Sequence, residues 1–115
     1  MTNKQKLKKD ITERFSRNMA VCQKVIDILS LFSNKTRFRI LCALAEGDFC
    51  VNDLREVVGM GKVSNISQQL KLLTLAAVLE KKRDKQQVIY RLTDKRVRQL
   101  IDFLKAGYMN GETGP

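Results

Sequence analysis

Histidine and tryptophan are absent from the 115 residues, and proline occurs once, at Pro115. Without histidine the chain lacks the commonest metal ligand and the commonest general base near neutral pH. Cysteine occurs three times, with no C-x-x-C pair. An odd count excludes a purely intramolecular disulfide framework, and thiol redox catalysis has neither a base nor a resolving partner at the expected spacing. The chain is therefore expected to be no enzyme and to carry no cofactor or resident metal. No apolar run approaches the roughly 18 residues of a membrane span. The opening MTNKQKLKKDITERFSRN has no signal-like apolar stretch. A cytoplasmic protein with reduced thiols and no membrane partner is expected. Acidic residues are also scarce, 12 against 22 Lys plus Arg, for a net charge of +10. So basic a surface repels itself unless a polyanion is near, with nucleic acid the first candidate and an anionic membrane surface the second.

What is present organises into one domain. Residues 1–17 read as a basic, partly mobile N-terminal arm, residues 18–109 as the folded domain and residues 110–115 as a tail. Val21, Val25, Ile28 and Phe32 recur on one face of a first helix. SNKTR breaks it, and Asn34 or Ser33 can cap a helix with body Arg37–Ala45, burying Ile40, Leu41 and Leu44. Glu46-Gly47-Asp48 signals a turn, with Gly47 in the left-handed position. A short helix over Val51–Val58 would bury Val51, Leu54, Val57 and Val58. Gly59-Met60-Gly61 then leads to a longer helix with Ile66, Leu70, Leu73 and Ala77 inward. Two helices joined by a glycine-containing turn outline a helix-turn-helix. The period then shortens to about 2. Leu79–Arg83 and Val88–Leu92 predict a β-hairpin with Asp84-Lys85 at its tip. Thr93-Asp94 caps a last helix with Val97, Leu100, Ile101 and Leu104 on its apolar face. The expected architecture is mainly α with a β-hairpin wing: a winged helix-turn-helix.

On the longer helix Ser64, Asn65, Ser67, Gln68, Gln69 and Lys71 stand between the buried positions. Asn and Gln can bond adenine edges bidentately and Lys can reach guanine or phosphate. Any solvated helix has a polar face. It is the order of short helix, polar helix and basic hairpin that points to double-stranded operator DNA. In the hairpin Lys81, Lys82, Arg83 and Lys85 would meet phosphates, with Gln87 adding an amide. The outer helices could pack on their own core, or form a homodimer through Val21, Val25, Ile28, Leu100, Ile101 and Leu104, since two-fold proteins suit two-fold DNA sites. Cys50 stands where an N-cap would, with Asp53 three residues on; the helix dipole would favour its thiolate, making it a candidate reactive thiol. Cys42, inside ILCALA, reads either as a second candidate sensing thiol or as a small core residue, and Cys22 beside the first apolar stripe as structural.

The segments SNKTR, RFRILCALAEGDFCVNDL, SNISQQLKLL and VIYRLTD resemble the ArsR/SmtB family of winged-helix repressors over roughly residues 20–109. Within it they are most similar to the thiol-sensing branch of BigR and HlyU type. The resemblance implies a homodimer that represses its operon and leaves DNA on sensing metal, metalloid or oxidised sulfur. It sets Cys42 at the branch's first sensing cysteine, while Met109 occupies the second, so the usual bridge cannot form in the usual way. The metalloid motif ELCVCDL is similar to DFCVNDL, where Cys50 fits the first cysteine and Asn52 replaces the other. A soft-metal site would then need Cys50 with Cys42 or Cys22. The zinc site of the last helix needs His and is rejected. Ala77 replaces a glycine that usually ends the recognition helix at positive φ, and GMGKVSN is one residue longer than the usual turn. Three regulator readings remain: release from DNA by thiol oxidation or reactive sulfur, constitutive binding with no inducer, and soft-metal sensing. A winged helix turned to protein or RNA contacts is a fourth. These residues specify no inducer.

Overall fold

The structure is a computed structural model that describes residues 1–109, so the predicted tail 110–115 lies outside the described residues. It divides into two compact units, residues 1–30 and the chain from Leu31 onward.

The first unit is two helices, α1 (Asn3–Arg17) and α2 (Met19–Ser30). The segment expected as an arm is thus helical. Thr2 Oγ1 accepts from the Gln5 backbone N–H at 3.1 Å, and Gln5 Oε1 accepts from the Thr2 N–H at 2.8 Å. This reciprocal cap satisfies two N–H groups that a helix start leaves without partners. The T-x-x-Q signal was legible in the sequence, but lysine density obscured it. Asn18 separates the helices at φ −111° and ψ 21°. No residue of either helix is buried. Val21 and Val25 are more than half exposed, and so are Ile26 and Leu29. The expected stripe ends early, since α2 stops at Ser30 and Phe32 lies beyond it.

The second unit holds the core. Helices α3 (Lys35–Glu46), α4 (Val51–Val58) and α5 (Val63–Leu75) are followed by strands β1 (Leu79–Asp84) and β2 (Gln87–Leu92) and by α6 (Lys95–Leu104). A π-helical turn, Lys105–Met109, continues α6. Ile40, Leu41 and Leu44 of α3 meet Leu54 and Val58 of α4 and Ile66, Leu70 and Leu73 of α5, all buried. Val78, Leu79, Leu92, Val97 and Ile101 complete the core from the hairpin side. Asn34 caps α3, its side chain accepting from the Arg37 N–H at 2.9 Å. Asp94 caps α6 by accepting from the N–H groups of Arg96 and Val97.

Several expectations give way here. Gly47 is extended at φ −178°, a conformation open to any residue, because the chain passes straight into strand-like pairing. Val57 is 56 % exposed, since an eight-residue helix has one inward face and Leu54 and Val58 fill it. Ala77 is outward, because α5 ends at Leu75. The hairpin tip is Lys85-Gln86 rather than Asp84-Lys85, because Asp84 pairs with Gln87 and lengthens β1 by a residue. Ile101, assigned to a dimer surface, is 1 % exposed within its own core, whereas Phe103 on the same helix is 69 % exposed.

Ala77 does take the left-handed backbone, φ 61°. An L side chain there costs about 1–2 kcal/mol against glycine, and the exposed methyl contributes no packing. Ala77→Gly is expected to raise stability by about 1 kcal/mol in urea unfolding. An unchanged or lower midpoint would mean that the added freedom of the unfolded chain outweighs the relieved strain.

Candidate nucleic-acid interface

Helices α4 and α5 are joined by Gly59-Met60-Gly61-Lys62. Gly59 ends α4 at φ 68° and Gly61 lies at φ 82°, two left-handed steps that glycine takes without a Cβ penalty. They turn the chain so that Ile66, Leu70 and Leu73 face the core. Ser64, Ser67, Gln68 and Lys71 then stand exposed on the opposite side, with Asn65 and Gln69 half-buried at its edge. The two glutamines, equivalent in the sequence, separate in the structure. Gln69 turns inward, where its Oε1 accepts from Arg37 Nη1 at 2.9 Å and its Nε2 donates to Asn65 Oδ1 at 3.4 Å. Gln68 is left facing solvent. Nothing in the sequence reading singled out Arg37; its signal was an arginine three residues past the Asn34 cap, too general to isolate.

The hairpin follows at once. Lys81, Lys82, Arg83, Lys85 and Gln87 are all exposed on it. Arg91 is not free, since it pairs with Asp48 at 3.1 Å. Beside that pair Phe49 and Tyr90 exchange backbone hydrogen bonds of 3.2 and 2.9 Å, a single antiparallel bridge at the hairpin base. Sequence reasoning missed this bridge because DFC is too short to show alternation. Arg98 of α6 donates to the carbonyls of Ala45 and Leu92 at 2.9 and 3.0 Å, tying α3 and the end of β2 to α6.

The three cysteines are spread apart in character: Cys22 exposed, Cys42 half-buried and Cys50 buried. Cys50 does occupy the N-cap of α4, but its side chain makes no capping hydrogen bond and is 6 % exposed, which removes the reachable thiol expected there. Cys22, read as structural, is on the surface of its unit. Cys42 lines an open cavity of about 550 Å³ with Phe38, Val57, Val58, Glu46 and Lys105 among its walls. Burial pushes the Cys42 thiol up from its ordinary value, the Lys105 ammonium opposes this, and the Glu46 carboxylate adds to it. Glu46 and Lys105 are themselves paired, which holds the carboxyl below and the ammonium above their usual ranges. Iodoacetamide is therefore expected to label Cys42 more slowly than a free thiol at neutral pH, with a rate that climbs as pH rises because only the thiolate reacts. Lys105→Met should slow it further. Peptide mass spectrometry against pH measures both, and labelling as fast as glutathione would contradict the burial argument.

Among the described residues no three His, Cys, Asp or Glu side chains gather as a metal site, and no helix is long and apolar enough to cross a membrane.

Comparison with known proteins agrees with this geometry. The model of the bacterial regulatory protein, arsR family, matches residues 34–80. The biofilm growth-associated repressor of Xylella fastidiosa is 35 % identical over 80 residues, which span 70 % of this chain and 69 % of that protein. The crystal structure of the transcriptional repressor BigR from Xylella fastidiosa superposes with a TM-score of 0.73 at 30 % identity, covering 84 % of this chain and 95 % of the other. HlyU from Vibrio cholerae N16961 gives 0.71 at 26 % identity over 76 % and 95 %. A polar helix presented by a glycine turn, a basic hairpin after it, and this likeness in both sequence and fold have one common reading. The chain belongs to the ArsR family and is a winged helix-turn-helix DNA-binding transcriptional regulator, not an enzyme, of the branch that BigR and HlyU represent.

Proposed function

We propose that the protein is a cytoplasmic, homodimeric repressor that reads its operator with α5 and holds the backbone with its hairpin. The observation that carries this is the exposure of Ser64, Ser67, Gln68 and Lys71 on a helix followed directly by Lys81, Lys82, Arg83 and Lys85. The helix supplies base-edge groups and the hairpin supplies phosphate contacts. Dimerisation is supported by apolar side chains left uncovered within each unit: Val21 and Val25, with Ile28 half-exposed, in the first, and Phe103, with Leu100 and Leu104 half-exposed, in the second. BigR and HlyU serve as models for the regulator role.

Release from DNA by thiol chemistry is the finer part of the reading, and it centres on Cys42. That thiol is half-buried at a cavity beside a cation, whereas Cys50 is enclosed. A soft-metal site on Cys50 gains no support from an enclosed thiol.

The test is fluorescence anisotropy of the purified protein on DNA from upstream of its own gene, reduced and then treated with polysulfide, peroxide, arsenite or zinc. Tight specific binding lost on polysulfide treatment and retained by Cys42→Ser would support the whole reading. Tight binding indifferent to every agent would leave a constitutive repressor. Gln68→Ala is expected to weaken operator binding by about 1–3 kcal/mol with little effect on random DNA. An equal loss on both would deny Gln68 a base contact.

A further inference from the structure

A relay of three side chains joins the start of the second unit to α5. Arg37 donates from Nε to the Leu31 carbonyl and from Nη1 to Gln69 Oε1, both at 2.9 Å. Gln69 Nε2 in turn donates to Asn65 Oδ1 at 3.4 Å. The direction of this relay is dictated by chemistry. A guanidinium only donates, so the Gln69 atom facing it must be the oxygen, and the other end of that amide must be the NH2. That NH2 also only donates, so the Asn65 atom facing it must be the oxygen. Asn65 is left with its own NH2. A Cβ built on Gly61 would lie 3.1 Å from Asn65 Nδ2, so the missing side chain of Gly61 leaves the space that this NH2 uses. Asn65 stands in the first turn of α5, half-exposed, with exposed Ser64 and Gln68 near it.

We propose that Arg37 and Gln69 orient the Asn65 amide so that it presents its NH2 to DNA ahead of its oxygen, making it a reader of guanine at one position of each half-site. This rests on the reading that α5 lies against base edges. An unconstrained asparagine bonds adenine bidentately, its oxygen accepting from N6 and its NH2 donating to N7. With the oxygen turned toward Gln69 and one of its lone pairs engaged there, the bidentate adenine pose is disfavoured. The guanine edge carries two acceptors, N7 and O6, and no donor. Thymine, with O4 alone, ranks second. Arg37 makes no base contact in this scheme and is a positioning residue.

The experiment is selection from a pool of randomised half-sites by the intact protein, followed by titration of single-base variants. The wild-type protein is expected to prefer guanine to adenine at one position by about tenfold. Asn65→Asp keeps the acceptor that Gln69 binds and replaces the donors with a second acceptor. It should move that position to cytosine or adenine, whose amino groups donate. Gln69→Glu keeps the bond to Arg37 but can only accept from Asn65; the asparagine, reversed so that its oxygen faces the DNA, should shift toward adenine or cytosine, with other positions unchanged. Arg37→Lys still donates and should retain guanine, and Arg37→Met should lose it. Thermal melting and affinity for random DNA, measured on each variant, separate a change of base from a general weakening. Should Asn65→Asp not fold, Asn65→Ser should lose the guanine preference. A guanine preference that survives replacement of Asn65, or a wild-type consensus without such a position, overturns the proposal and leaves α5 as the reading helix. A wild-type protein that enriches no sequence overturns both.

Discussion

Replacing Lys81, Lys82, Arg83 and Lys85 together by glutamine is expected to flatten the salt dependence of DNA binding. Each phosphate contact releases counterions and contributes about 0.9 to the slope of log K against log salt. Four cations in each of two subunits set an upper bound of about 7 on the change. The loss should be equal on operator and random DNA, since phosphates carry no sequence. Folding should be untouched, because all four side chains are exposed and Arg91, the hairpin cation with a structural partner, is retained. Anisotropy titrations between about 50 and 200 mM salt measure the slope. A slope identical to that of the wild type would take the hairpin off the DNA and leave α5 and the N-terminal lysines to supply the charge.

Arg98→Met is expected to be the most destabilising of the single substitutions considered. The methionine keeps the apolar stem and removes two charge-assisted hydrogen bonds, to Ala45 and Leu92. Ala45 lies in the last turn of α3, where carbonyls have no partner within the helix. Leaving two such acceptors unpaired in a half-buried place should cost about 2–4 kcal/mol. The urea midpoint should fall while the dependence on urea stays constant, as expected when stability changes without a change in the surface exposed on unfolding. A loss below about 1 kcal/mol would show that water replaces the guanidinium there.

The helices of the second unit were legible because their apolar spacing is regular and their caps are strong. Asn34 and Asp94 cap as their residue types predict, and Ile40, Leu41, Leu44, Ile66, Leu70 and Leu73 are buried as their period requires. The errors have local causes. The segment read as a basic, partly mobile arm forms helix α1, whose cap was written at Thr2 and Gln5. Ile101 continues an apolar period that serves the chain's own core, and periodicity alone does not say whether a face meets its own domain or another copy. The polar helix face was legible as a set, but its division was not. Gln69 turns inward because Arg37 waits for it from another helix, a contact 32 residues away in sequence. Cys50 looked reactive from its helix position, yet burial, a tertiary property, encloses it.

The Phe49–Tyr90 bridge divides the hairpin into two mechanical regimes. Up to the Lys81–Tyr90 pair the ladder is tied to Phe49 by that one bridge and anchored by the buried Leu79 and Leu92. Beyond Tyr90 it is a bare two-stranded ribbon, and such ribbons have little stiffness of their own. Lys82, Arg83 and Lys85 lie on that end, while the bridge ties the base to Phe49, next to the N-cap of α4. In the proposed complex such a hairpin would bend to follow grooves of different width without disturbing the angle at which α5 is held. If the proposed roles hold, grip is decoupled from reading: the same wing would clasp many sequences while the helix beside it accepts few.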